Sequence, residues 1–170
     1  GESEVRGDAG GEVGAWQTVE RRSRTLRYAL RATQGERKMI APCTEAHIPA
    51  IFAIVNDAAQ AYRGHVPEDC LHEPYMSEPE LRGEIAAGVL FWGWFEDGEL
   101  LGVMGIQDVQ DVTLIRHAYV RTAQRGKGIG GALLSELKQR TGRPTLVGTW
   151  KAAVWAVRFY EKHGFRLVTD

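Results

Sequence analysis

Glycines and basic residues are interspersed in the segment RTAQRGKGIGGALL, residues 121–134, directly ahead of an apolar run. Arg125 and Lys127 supply positive charge, and the glycines lack the side chains that would hold a ligand away from the backbone. The first N–H groups of a helix have no intrahelical partner, and the helix dipole adds positive potential at the same end. A glycine-rich segment that opens a helix therefore predicts a site for a phosphate group.

Two well-known phosphate loops fit this segment poorly. Gly126-x-Gly128-x-x-Gly131 matches the dinucleotide fingerprint, but the acidic residue expected about 20 positions later is missing around Lys151. The loop of nucleotide hydrolases needs Ser or Thr after its lysine, and here Gly128 follows Lys127. A tight strand-to-helix turn that binds no ligand stays open as a structural alternative.

A third interpretation takes Arg125-x-x-Gly128-x-Gly130 as a pyrophosphate loop at the start of a helix. Glycine at these positions allows a diphosphate to approach the backbone, and Arg125 and Lys127 balance its charge. The phosphate is then the handle of a larger ligand. Its chemistry is expected along the strand that precedes the loop.

The hydrophobic pattern predicts one α/β domain that begins at Met39. Its elements follow the order β-α-α-β-β-β-α-β-α-β, which is typical of a mixed sheet with packed helices. The polar segment 57–76 predicts a long loop, and Ser77 with Glu80 forms a capping box for the helix after it. Asp97-Gly98 in EDGE is a hairpin signal between two apolar strands.

Composition narrows the class of protein. The formal net charge of −1 gives no general attraction to nucleic acid, and no apolar run reaches the roughly 18 residues of a membrane span. Cys43 and Cys70 fit neither a disulfide framework nor a zinc pattern, so we expect reduced thiols, a cytoplasmic location and no metal. We expect no nucleic-acid partner and no membrane partner.

Residues 1–38 differ from the remainder of the chain. The segment is rich in glycine, acidic residues and then arginine, and it has no clear periodicity. We expect a flexible Gly/Arg-rich extension, with a basic arm for nucleic acid or a membrane surface as the alternative. The early acidic residues argue against a mitochondrial transit peptide.

Two motifs together resemble the GNAT superfamily of acyl-CoA N-acyltransferases. YVRTAQRGKGIGGALL is similar to the family's Gln/Arg-x-x-Gly-x-Gly/Ala loop, which follows a strand. AVRFYEKHGFRLV is similar to the family's last helix and strand, in which a tyrosine precedes Glu-Lys-x-Gly-Phe. The resemblance covers residues 39–170 and implies an α/β fold with a mixed, splayed central sheet and helices on both faces.

The resemblance implies acetyl-CoA as co-substrate, bound where the strands TLIRHAYV and TLVGTW separate. Its pantetheine arm would lie beside the backbone of Ala118, Tyr119 and Val120. Its pyrophosphate would lie on the glycine loop, which comprises Arg125, Gly126, Lys127, Gly128, Ile129 and Gly130.

Catalytic roles also follow from the resemblance. Tyr160, at the family's tyrosine position, would be the general acid that protonates the leaving thiolate, since a phenol with a pKa of about 10 keeps its proton at neutral pH. His117 on the central strand is the candidate general base, with a packed or surface histidine as the alternative. Weaker candidates for the base lie in the long loop: His65, His72, Glu68, Asp69 and Glu73.

The sequence departs from the family at three places. Ala153 stands where the family often has an asparagine, and Thr122 stands where a proline is common. The chain also stops about where the sixth strand ends, whereas the family usually has a seventh strand beside it. An open edge of this kind is a liability, so we expect either a truncated chain or a partner, such as a second copy in a homodimer, that supplies the strand.

These observations predict an N-acetyltransferase that moves an acetyl group from acetyl-CoA to the primary amine of a small molecule or amino-acid-like acceptor. Small molecules are favoured because the long loop has mixed charge and neighbouring aromatic residues. Two alternatives stay open. One is a non-catalytic acyl-CoA-binding sensor, and the other is an NAD-binding oxidoreductase of the Rossmann type.

Overall fold

The computed structural model describes residues 13–18 and 37–168. Within these residues the chain forms seven β-strands and four α-helices. The strands are β1 (Val13–Thr18), β2 (Lys38–Pro42), β3 (Leu90–Glu96), β4 (Glu99–Val109), β5 (Val112–Val120), β6 (Thr145–Trp150) and β7 (Phe165–Leu167). The helices are α1 (Ile48–Ala59), α2 (Glu78–Ala86), α3 (Ile129–Gln139) and α4 (Val154–Lys162).

All seven strands belong to one sheet in the order β2-β3-β4-β5-β6-β1-β7. Of the six strand pairings in the described residues, β5–β6 is parallel and the others are antiparallel. The predicted mixed sheet is therefore confirmed. The doubly wound parallel sheet that a Rossmann-type oxidoreductase requires is absent from this part of the chain, so that alternative is wrong.

Local signals in the sequence account for the ends of several elements. The Ser77 hydroxyl accepts the backbone N–H of Glu80 at 3.3 Å, and the Glu80 carboxylate accepts that of Ser77 at 2.6 Å, which confirms the capping box. In the β3–β4 turn, Asp97 has φ 49° and Gly98 has φ 84°, as the tight two-residue hairpin requires. The predicted loop also contains short 3₁₀ turns, at Gln60–Tyr62 and Glu68–Cys70.

Helices cover both faces of the sheet, as predicted. α1 and α2 enclose one apolar cluster, which includes Ile51, Leu81 and Phe91. α3 and α4 enclose the other, which includes Leu133 and Tyr160. Neighbouring residues of the central strands contribute to opposite clusters because side chains alternate along a strand.

The expectation for the N-terminal segment is wrong for Val13–Thr18. This stretch is not a flexible extension but strand β1, which pairs antiparallel with β6 on one side and with β7 on the other. The strand beside β7 therefore comes from the chain itself. The sequence did not reveal β1 because its pairing partners lie more than a hundred residues away. The other residues before Arg37 lie outside the described part of the chain.

Gly102 of β4 lets α3 approach the sheet. A Cβ at this position would lie 2.7 Å from Cγ2 of Ile129 and 3.3 Å from Cγ2 of Val120. Ile129 is the first residue of α3, so Gly102→Ala should displace the start of that helix. We expect a loss of about 1–3 kcal/mol of stability, seen as a fall of several degrees in Tm by calorimetry.

Gly83→Ala is the matched control for this prediction. Gly83 lies within α2, and a Cβ there would have no atom within 4 Å. This variant should gain up to about 1 kcal/mol, since alanine favours helix more than glycine does. Equal Tm values for the two variants would contradict the close packing of α3 on β4.

Candidate active site

A cleft opens where β5 and β6 stop pairing. The two strands are hydrogen-bonded through Thr113–Ile115 and Thr145–Val147, yet β5 continues to Val120 and β6 to Trp150. A cavity of about 580 Å³ is lined by residues from both strands and from α3 and α4. The splay implied by the family resemblance is therefore present.

A β-bulge shapes the β5 side of the cleft. Tyr119 is opposite Val103 and Arg116 is opposite Gly105, so His117 and Ala118 together are opposite Met104. His117 has φ 51°, a left-handed conformation that is uncommon outside glycine. Bulges of this kind redirect the backbone and are frequent beside active sites.

The glycine loop forms one end of the same cavity. Gly126 and Gly128 have φ of 77° and 80°, and a Cβ on either would have no atom within 4 Å. Gly128 is the N-cap of α3, so the free N–H groups of the helix start directly after it. An anionic ligand can therefore approach the backbone at Gly126 and Gly128 without a steric obstacle, and no residue from Arg125 to Gly130 carries a carboxylate.

The cavity brings together most of the predicted site residues. Its lining contains Tyr160, His117, Ala118, Tyr119, Val120, Arg125, Gly126, Gly128, Ile129 and Gly130. Lys127 is not part of the lining, and its Nζ donates to Oε1 of Gln124 at 2.8 Å. Gly131 contacts α4, because a Cβ there would lie 2.9 Å from Nε2 of His163.

Tyr160 lies between aromatic neighbours in the last turn of α4. Its side chain is 6% exposed, and its ring centroid is 5.1 Å from that of Phe159 and 5.4 Å from that of Phe165. Burial raises the pKa of the Tyr160 phenol far above its usual value of 10, and Tyr62 adds to this effect. The hydroxyl therefore keeps its proton at neutral pH and is available as a hydrogen-bond donor.

His117 points toward α2 and is held there. Its Nε2 lies 2.9 Å from Oε2 of Glu84, and its ring stacks on Phe91 at 5.9 Å. Nη2 of Arg116 lies 3.0 Å from the same Glu84 oxygen. The predicted base thus reaches the cavity lining, but one ring nitrogen is already engaged by a carboxylate.

The contacts of Glu84 should make the stability of the fold depend on pH. Hydrogen bonding to His117 lowers the pKa of Glu84 below its ordinary 4.5, with a smaller contribution from Arg116, while burial opposes the shift. A carboxyl with a lowered pKa stabilises the fold above its unfolded-state pKa, and this stability is lost as the pH falls through the folded-state pKa. Glu84→Gln should therefore lower Tm at pH 7, and the difference should shrink as the pH is reduced toward about 3.

Glu78→Gln provides the control for the pH series. Glu78 forms an exposed pair with Arg82 one helical turn away, at 2.9 Å. Exposed pairs of this type contribute at most about 0.5 kcal/mol, so the control should melt close to wild type at every pH. A Glu84→Gln difference that stays constant with pH would contradict the proposed ionic contribution.

The cavity lining also contains residues that were not predicted as site residues, and two of them are large aromatic residues from separate segments. Tyr62, from the 3₁₀ turn after α1, and Trp155, from the first turn of α4, both line the cavity. Trp155 lies in the first turn of a regular helix, and Tyr62 lies in a segment without periodicity. Because the two residues are far apart in the sequence, their contact could not be predicted from it. Large aromatic residues in or next to polar loops are nevertheless a signal that could have indicated a binding site.

Most of the other candidates lie away from the cavity. Of the loop residues proposed as weaker bases, His65 contacts Trp155, while Glu73 pairs with Arg63. His72, Glu68 and Asp69 do not contribute to the lining. Trp92 and Trp94 pack against the α3–α4 cluster and Phe91 belongs to the α1–α2 cluster, as expected for core and sheet-face residues.

The two single-residue departures from the family pattern, Ala153 and Thr122, lie at defined positions in the structure. Ala153 is fully buried just ahead of α4. The backbone N–H of Thr122 donates to Oδ2 of Asp57 at 2.7 Å, and this contact ties the loop to α1.

Residues 13–18 and 37–168 contain neither a metal-binding group of side chains nor a membrane-spanning helix. No three His, Cys, Asp or Glu side chains in that part of the chain are grouped so as to hold a metal ion. No helix there is both long and apolar enough to cross a membrane.

The fold and the cleft define a mixed α/β domain of the acyltransferase class, with a ligand cavity between two parallel strands that separate. A family model described as an acetyltransferase (GNAT) domain matches residues 55–170. The chain belongs to this family and is an acetyl-CoA-dependent N-acetyltransferase. No curated protein sequence matches it significantly.

Solved structures with the same fold include several acetyltransferases. The PaiA N-acetyltransferase of Thermoplasma acidophilum, in complex with coenzyme A, has a TM-score of 0.68 at 21% identity, covering 79% of this chain and 93% of that chain. The ribosomal-protein-S18-alanine N-acetyltransferase of Escherichia coli has a TM-score of 0.62 at 20% identity, with coverages of 78% and 80%. A GNAT family acetyltransferase of Brucella melitensis, in complex with acetyl-CoA, has a TM-score of 0.57 at 17% identity, with coverages of 78% and 88%.

Proposed function

We propose that this chain acetylates a primary amine and that Tyr160 is the general acid. The observation that carries the proposal is a single cavity that joins the glycine loop, the bulged end of β5 and the Tyr160 side chain. These three features supply, in order, an anion site, a strand edge and a proton donor. Their arrangement suits a long thioester that carries a phosphate at one end.

The glycine loop is the proposed pyrophosphate site. The space around Gly126 and Gly128 is open, and a Cβ at either residue would project into it. Arg125 lines the cavity and supplies positive charge, while the start of α3 supplies N–H donors. Lys127 lies outside the lining, so we assign it to general attraction of the anion rather than to a direct contact.

The free edge of β5 is the proposed site for the pantetheine arm. β6 no longer pairs with β5 beyond Ile115, and Ala118, Tyr119 and Val120 line the cavity. An extended ligand at this edge would be bonded like an additional strand. Backbone N–H groups at the bulge would polarise the thioester carbonyl where negative charge develops.

Acetyl-CoA supplies the acetyl group as a thioester, which the amine attacks to form a C–N bond as the C–S bond breaks. The departing sulfur needs a proton, and Tyr160 holds one at neutral pH because burial raises its pKa. The amine must lose a proton in turn. Since Nε2 of His117 is bound to Glu84, we propose that water, rather than His117, accepts it.

A turnover assay tests this function directly. Incubation with acetyl-CoA and primary amines, followed by measurement of free thiol, should show release of CoA above the rate without protein. The sensor alternative instead predicts that acetyl-CoA raises Tm while no amine elicits thiol release. A protein whose Tm does not respond to CoA would contradict both.

A further inference from the structure

Aromatic side chains from three segments meet beside the cavity. The ring of Tyr62 lies 5.9 Å from that of Trp155 and 5.5 Å from that of Tyr75, and Tyr75 lies 6.5 Å from Tyr119 of β5. The ring of His65 extends this row, 5.0 Å from Trp155. We call these five residues the aromatic wall. Tyr62 follows α1 and Trp155 belongs to α4, and these helices cover opposite faces of the sheet. The aromatic wall therefore extends from one face of the sheet to the other at the cleft.

The hydroxyl groups of Tyr62 and Tyr119, the two tyrosines of the aromatic wall that line the cavity, carry no charge at neutral pH. Burial raises the pKa of Tyr62 to about 12 and holds the pKa of Tyr119 well above 10. The hydroxyl of Tyr119 is hydrogen-bonded to those of Tyr62 and Tyr75, and both contacts support its neutral form. The wall therefore presents flat apolar rings and neutral hydroxyls, with no phenolate to pair with a cation.

Carboxylates are also missing from the cavity lining, as far as the described residues go. The ionisable side chains that line it are Arg125, Lys162, His117 and His163, together with the tyrosines. No acidic residue of the long loop lines the cavity, and Glu73 pairs with Arg63. A second ammonium group on a bound amine would lose water here without gaining a carboxylate partner, which is unfavourable.

We propose that the acceptor is a primary monoamine with an aromatic body, and that Tyr62 and Trp155 select it. This inference rests on the proposed function, because it concerns the acceptor for the same transfer. The aromatic body would bury its face against the two rings, an arrangement that aromatic pairs favour. The reaction joins the amine nitrogen to the acetyl carbon, breaks the C–S bond and yields free CoA, while the surplus amine proton goes to solvent.

Three amines of similar size test the inference: 2-phenylethylamine, hexylamine and 1,6-diaminohexane. Each is assayed by thiol release at saturating acetyl-CoA. We expect kcat/KM for 2-phenylethylamine to exceed that for 1,6-diaminohexane by about 100-fold or more, because only the diamine carries a second charge. Hexylamine should fall between them, since it lacks both the ring and that charge.

Variants of the aromatic wall distinguish an effect on amine selectivity from a general effect on folding. Trp155→Ala should raise KM for 2-phenylethylamine about 10-fold and leave that for 1,6-diaminohexane nearly unchanged. Tyr62→Phe keeps the ring and should retain the preference, whereas Tyr62→Ala should lose it. Val154→Ala is the control on the same helical turn, because Val154 is 49% exposed and does not line the cavity.

Each outcome bears on a stated claim. Faster acetylation of 1,6-diaminohexane than of 2-phenylethylamine would leave the proposed function intact and overturn the acceptor class. An unchanged amine preference in folded Trp155→Ala would overturn the role of the wall. Binding of acetyl-CoA without thiol release from any of the three amines would overturn the acceptor class, whereas the absence of thiol release with every primary amine would contradict the proposed function.

Discussion

Replacing Tyr160 with phenylalanine should lower kcat by about 10²–10⁴-fold and leave the Kd of acetyl-CoA near the wild-type value. The change removes the hydroxyl that we propose protonates the departing sulfur, and it keeps the ring that packs between Phe159 and Phe165. Water would protonate the thiolate in the variant, so some activity should persist. Single-turnover measurement of thiol release at saturating amine isolates this step.

Tyr75→Phe is the matched control for Tyr160→Phe. It removes the same atom from a tyrosine that does not line the cavity, although it belongs to the aromatic wall. We expect kcat to change by less than about 10-fold and Tm to report any loss of hydrogen bonding to Tyr119. If Tyr160→Phe folds like wild type and retains its kcat, the general acid lies elsewhere.

The predictable part of the site is the part encoded by contiguous residues. The glycine loop can be identified because Gly128, its basic neighbours and the apolar stripe of α3 are adjacent in the chain. Tyr160 can be identified because a helix stripe and Gly164 surround it in a recognisable order. Such features depend on local backbone conformation, which a short stretch of sequence specifies.

The features that could not be predicted depend on strand register and on contacts between residues that are far apart in the sequence. The bulge at His117 arises from a shift in the pairing register of β4 and β5, where β5 has one extra residue. The hydrophobic pattern of neither strand indicates this shift. β1 reads as an irregular, glycine-containing stretch until β6 and β7 supply its partners. Tyr62 and Trp155 meet only because the sheet splays between them. Pairings of this kind are properties of the assembled sheet.

Gly128→Ala should raise the Kd of CoA by about 10–100-fold, the second large effect that the structure predicts. Gly128 has φ 80°, and the Cβ of the variant would project into open space where we place the pyrophosphate. A displaced phosphate would lose one charge-assisted hydrogen bond to the start of α3, which contributes about 1.5–3 kcal/mol. Isothermal titration with CoA measures the change.

Strain must be separated from this loss of contact, because alanine at φ 80° costs about 1–2 kcal/mol in any protein. Gly98→Ala imposes the same strain at φ 84° in the β3–β4 turn, also with no atom near the added Cβ. Both variants should therefore lose similar stability, whereas only Gly128→Ala should lose affinity for CoA. Equal affinities in the two variants would show that the pyrophosphate does not approach the backbone at Gly128, and the anion site would then have to be sought around Arg125.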